Sequence, residues 1–146
     1  MAYKIKGKIE GLRDVLAALD NVEKKVKKKA IRKAAGVAGT IVLKAAKARA
    51  RKATGLLRKS LGKKIKVYKS GAVGVAIVGP RLGFRQVVSR GGRDVLSNPT
   101  KYAHLVELGT SHSAAHPFLR SALEQTRGQV REAMAKAIAE VVAGGK

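Results

Sequence analysis

"KYAHLVELGTSHSAAHPFLRSALE", residues 101–124, decides how the C-terminal half of the chain is built. It holds all three histidines, His104, His112 and His116, with Glu107 three places after the first and a Gly-Thr-Ser step at 109–111. Lys101 to Leu108 is strand-like and stops at Gly109, whose freedom permits a sharp exit. Thr110 or Ser111 can cap, and Pro117 suits the first position of a helix that follows. In that helix Phe118, Leu119, Ala122, Leu123, Val130, Met134, Ile138 and one of Val141 and Val142 form a buried stripe, and Gly144-Gly145 ends it.

The strand reading bears directly on chemistry. Strand positions three apart point to opposite faces, so His104 and Glu107 would not converge on a metal ion. His112 and His116 lie in a small-residue stretch, with no HExxH, no HxH and no cysteine to complete a tetrahedral set. Ser111, His112 and Glu107 lack a nucleophile-elbow context, and the glycines of "VGPRLGF" make no phosphate loop. The expectation is structural or surface histidines, a noncatalytic protein, and no metal or cofactor.

Working outward, "KKIKVYKSGAVGVAIVGP" (63–80) reads as a hairpin. Ile65 and Val67 alternate with lysines, Ser70-Gly71 turns, and Val73, Val75 and Ile77 run back to Gly79-Pro80. Before it lies a long helical pattern beginning at Leu12 and continuing through Ala46, with Asp20 and Glu23 spaced like a capping box. Gly36 and Gly39 each cost about 1 kcal/mol inside a helix, which points to close packing or a bend. At the start, Tyr3, Ile5, Gly7 and Ile9 alternate with lysines, as in a strand with one wet face near a sheet edge. Residues 81–100 show no sustained period and read as a long loop or arm. The order β, long α, ββ, loop, β, α implies one α+β domain over 1–146, with a small, mainly antiparallel sheet packed by a long N-terminal helix and a C-terminal helix.

Composition narrows the class further. The chain has 146 residues, 32 Lys and Arg against 9 Asp and Glu, and a formal charge of +23. Residues 1–66 carry 21 basic and 4 acidic side chains (+17), and residues 67–146 carry 11 and 5 (+6). Such an excess attracts polyanions, and the partner of the basic surface should meet the N-terminal half. Lys24, Lys25, Lys27, Lys28 and Lys29 are the candidate polyanion contacts. Aromatics are only 3%, so stacking on single strands is unsupported and duplex backbone is the better nucleic-acid target. The core must be built from small side chains, which favours self-association. No run of about 18 apolar residues suggests a membrane span.

Two stretches together resemble a known family. "TGLLRKSL" (54–61) follows an Ala/Lys/Arg-rich helix and presents Thr54, Gly55, Leu57, Arg58 and Ser60. "YAHLVELGTS…AHPFLRSALE" presents Tyr102, Ala103, Val106, Glu107, Gly109, Thr110, Pro117, Phe118, Leu119, Arg120 and Ala122. This pattern resembles the tailed-phage neck and tail-completion family, the minor tail component of HK-type lambdoid siphophages, related to the minor tail protein Z of lambda. Departures are the missing proline before Thr54, Leu61 and Leu108 at commoner Ile and aromatic positions, and Ser121 in place of proline.

The resemblance implies a structural virion protein of the neck or head-proximal tail, made in the host cytoplasm. It would form a homo-oligomeric ring, six-fold or twelve-fold, that completes the tail and joins it to the capsid. Its neighbours would be neck and tail-terminator or tail-tube proteins, with DNA contact open and no membrane. Glu107 and Arg120 are the charged family positions, whereas His112 and His116 fall where the pattern varies. The alternative is a small basic duplex-DNA-binding protein of nucleoid type.

Overall fold

Alanine and glycine recur along two sides of the first described helix, α1 (Lys24–Arg49), and this lets it serve two neighbours at once. In the computed structural model, which describes residues 23–52, 55–68 and 71–144, seven further elements follow. They are α2 (Leu56–Ser60), β1 (Leu61–Tyr68), β2 (Val73–Pro80), β3 (Gln86–Arg90), β4 (Arg93–Ser97), α3 (Pro99–Leu108) and α4 (Leu119–Ala143). The fold is α+β: two antiparallel two-stranded hairpins, β1–β2 and β3–β4, with long helices at either end of the described chain.

One side of α1 packs along α4, and the two run antiparallel. Ala30, Ile31 and Ala34 near the start of α1 meet Ile138 and Val141 near the end of α4, while Ala46 and Ala50 share a second cluster with Phe118, Leu119 and Ala122 at the start of α4. Small side chains at the contact let the axes approach closely. Lys33 Nζ and Glu140 Oε2, 2.9 Å apart, bridge the two helices at the surface. The Lys33 hydrogen bond and charge, with lesser help from Lys136, hold the Glu140 carboxyl below its ordinary value. The bridge's contribution is therefore present above the usual carboxylate range and lost as pH falls through the lowered value, and its exposure to solvent keeps it small.

The other side of α1 receives the β1–β2 hairpin. A Cβ on Gly39 would lie 3.3 Å from Ala76 Cβ and 3.5 Å from Ile65 Cδ1, so this glycine does mark a close approach. Gly36 has nothing within 4 Å of such a Cβ; its carbonyl accepts from the Thr40 hydroxyl and from Lys63 Nζ instead. Opposite Ile31, Gly74 of β2 is tighter, because a Cβ there would sit 2.6 Å from Ile31 Cγ2 and 3.2 Å from the Ile31 carbonyl oxygen.

The hairpin expected from the sequence is present, and its register assigns the faces. Tyr68 pairs with Val73, Lys66 with Val75 and Lys64 with Ile77. Directly paired residues share a face, so Val73, Val75 and Ile77 stand with the outward lysines, and the inward residues of β2 are Gly74, Ala76 and Val78. Val73 and Val75 are accordingly exposed, at 40% and 37%.

Three expectations change. Residues 101–108 are helical rather than extended: Asn98 caps α3, its side chain accepting from Thr100 N at 3.1 Å, and Pro99 occupies the first turn. The 81–100 region is no unstructured loop, since Gln86–Arg90 pairs with Arg93–Ser97 around a two-residue turn in which Gly91 and Gly92 both have positive φ, 57° and 76°. Glu23 immediately precedes α1 and makes no side-chain cap, so it is not the third residue of a capping box. The expected strand Tyr3–Ile9, the helix from Leu12 and Asp20 lie outside the described residues.

The glycine environments predict opposite outcomes for one kind of substitution. Gly36→Ala should raise stability by about 0.5–1 kcal/mol, because helix propensity improves and nothing is displaced. Gly74→Ala should lower it by about 1–3 kcal/mol through overpacking against Ile31. Urea midpoints of the two variants check both signs.

Candidate functional site

Gly109 ends α3 with φ 77°, and a Cβ there would lie 2.7 Å from Ala115 N and 2.9 Å from the Ser113 carbonyl oxygen. Only glycine fits both the conformation and the space. The chain then folds back on itself: Thr110 N donates to Ser113 O at 2.8 Å, His112 N to Thr110 Oγ1 at 3.3 Å, and His116 N to Val106 O at 2.8 Å. This return brings the first turn of α4 over the last turn of α3.

There the Glu107 carboxylate takes over the role of a cap. Its Oε2 accepts from Phe118 N at 2.8 Å and Leu119 N at 3.0 Å, and its Oε1 accepts from Arg120 N at 2.9 Å. Glu107 is only 3% exposed, and no described Lys or Arg forms an ion pair with it. The buried charge is held by three backbone donors and by the positive end of the helix dipole. Phe118, 1% exposed, anchors the junction among Leu57, Leu61, Ala103 and Ala122, a burial worth about 1.5–3 kcal/mol.

The family positions therefore divide by task. Gly55 precedes α2 in the left-handed region, φ 67°. Ser60 is fully buried: its hydroxyl donates to Leu57 O at 2.7 Å, and its carbonyl accepts from Arg81 N at 2.9 Å. Tyr102 packs at the edge of the Phe118 cluster. Arg58 and Thr110 are exposed, and Thr54 lies outside the described residues. Arg120 contributes its backbone N–H inward while its side chain reaches out to Glu124 at 3.3 Å. Pro117 stands two residues ahead of the first helical residue rather than at it, and the cap comes from Glu107, not from Thr110 or Ser111.

The histidines do not assemble. On a helix, residues three apart share a face, so the strand argument for separating His104 from Glu107 does not apply. The two are separated by occupation instead, because both Glu107 oxygens already serve α4 while His104 lines a groove beside β1–β2. His112 and His116 are exposed. Among the described residues no three His, Cys, Asp or Glu side chains are grouped as a metal site.

Two surfaces remain. Lys24, Lys25, Lys28 and Lys29 are exposed at the start of α1, with Lys27 less so. The β3–β4 arm has hardly any contact with the rest of the described chain, yet it exposes Val87, Val95 and Leu96 at 57%, 47% and 59%. No described helix is long and apolar enough to cross a membrane.

The family model described as "Bacteriophage HK97-gp10, putative tail-component" matches residues 13–109. That span runs from the N-terminal helical pattern through the hairpins to Glu107 and Gly109, well over half of the chain, and the protein belongs to this phage tail-component family. No curated relative and no solved structure matches the chain.

Replacing Glu107 tests the cap. Glu107→Ala should cost about 2–4 kcal/mol, since it strips a charged acceptor from three backbone donors, and Glu107→Gln should cost less because one oxygen remains. Denaturant unfolding of both variants measures this, and an Ala variant as stable as the parent would contradict the assignment.

Proposed function

We propose that this chain is a noncatalytic virion component of the neck or head-proximal tail, forming a ring that completes the tail and joins it to the capsid. The observation that carries the reading is the β3–β4 arm in a member of a phage tail-component family. A hairpin with large apolar side chains exposed on both faces gains little from its own chain, and such surfaces mark protein contacts. The capped α3–α4 junction gives the arm a rigid base, because β4 leads within two residues into α3. Subunits repeating around the tail axis, six or twelve to a ring, would each offer an arm to a neighbour or to an adjacent neck, tail-terminator or tail-tube protein.

A second reading rests on the lysines at the start of α1, whose exposed ammonium groups suit duplex phosphates. It predicts tight, salt-sensitive affinity for free duplex DNA, without affinity for tail or neck proteins. In the ring reading the same lysines face passing DNA or an acidic ring.

Deletion of the reading frame from its parent genome, followed by induction and electron microscopy of the lysate, separates the two. Filled heads beside finished-length, unattached tails are expected; normal joined particles would remove the joining role and leave the DNA reading first.

A further inference from the structure

The outer face of β1–β2 has no covering element among the described residues, and its chemistry is specific. Lys64 beside Ile77 and Lys66 beside Val75 make a ladder in which each cation flanks an apolar side chain. Between this face and α3 runs a groove of about 600 Å³, whose walls include Lys64, Lys66, Ile77 and Gly79 on one side and Thr100 and His104 on the other. Leu82, 79% exposed, also lines it. Arg81 adds a further positive charge to the wall, its guanidinium held in place by donation to the Lys59 carbonyl at 2.9 Å and by the Phe84 ring beneath it.

The arm is two-sided in a complementary way. Its register pairs Val87 with Leu96 and Ser89 with Asp94 on one face, and Val88 with Val95 and Arg90 with Arg93 on the other. The first face is apolar and acidic without a cation; the second is apolar and basic. In a chain with 32 basic and 9 acidic residues, contact between copies is repulsive unless a carboxylate is set against the lysines. Asp94 is suited to that use, as it is exposed and makes no ion pair or side-chain hydrogen bond within the described chain.

The geometry points to a second copy of this chain as the occupant of the groove: the arm of one subunit lays its Val87/Leu96 face on Ile77 and Leu82 of the next, with Asp94 against Lys64 and Lys66. Arm and groove are different surfaces of one molecule, so in the ring reading the contact repeats head to tail, the arrangement that makes a ring where the rotation closes. This deepens the ring reading and rests on it.

Charge reversal in the full-length chain tests the contact, because every residue involved is at the surface. Asp94→Lys alone, or Lys64→Glu with Lys66→Glu, should weaken self-association in sedimentation by about tenfold or more, and the three changes together should restore most of it. A chain lacking cysteine permits a second test: a Leu96→Cys chain mixed with an Ile77→Cys chain should form a mixed disulfide dimer. Absence of that dimer, or association indifferent to the charge reversals, overturns the proposal. So does a Leu96→Cys/Ile77→Cys double variant that closes only within one chain, since the arm would then occupy its own groove. If Asp94→Lys particles still join heads to tails through an intact ring, the arm contact fails while the joining role stands; if the deletion strain makes joined particles, the joining role itself fails.

Discussion

One buried carboxylate orders the C-terminal half of this protein. Glu107 lies at the end of one helix and supplies what the start of the next one lacks, three acceptor contacts and a negative charge. Everything between them serves that meeting. Gly109 makes the turn, the Thr110–Ser113 bridge tightens it, and the His116 contact with Val106 returns the backbone to α3. Phe118 is then driven into the cluster that also holds Leu57 and Leu61, so α2, α3, α4 and the start of β1 are tied at a single point.

From that point the small-residue face of α1 carries order along the molecule. Alanines on one side receive α4 and Gly39 on the other receives β2, so the long helix is sandwiched largely through small residues, with Ile31 the large side chain facing Gly74. The cost of so thin a core is that much apolar surface stays outside it. Val73, Val75, Leu82, Val87, Val95 and Leu96 are all exposed. Exposed apolar side chains of this size are characteristic of contact surfaces, and the assembly proposed above makes use of them.

The long helix, the β1–β2 hairpin and α4 were legible because their periods are sustained over many residues. Residues 101–108 were misread as a strand although Asn98-Pro99 is a helix-start signal and Tyr102, Ala103, Val106 and Glu107 recur at helical spacing. The arm was legible at 81–100 but its strand pairing was not, although Gly91-Gly92 between Val88 and Val95 is a two-residue turn signal. The faces of β2 could not be read at all, since alternation labels two faces of each strand and only register decides which faces coincide. As for the site, the family resemblance singled out Glu107 and Arg120, but not that one works through its side chain and the other through its backbone. That distinction depends on a loop conformation that no periodicity encodes.

Amide hydrogen exchange at Phe118, Leu119 and Arg120 tests the organising role of Glu107 most directly. If the carboxylate holds the start of α4, these three amides are protected as well as those in the middle of that helix, and lose protection in Glu107→Ala while the middle keeps it. Exchange in the parent chain as fast as at Ser111 or Ala114, in the exposed turn, would contradict the account.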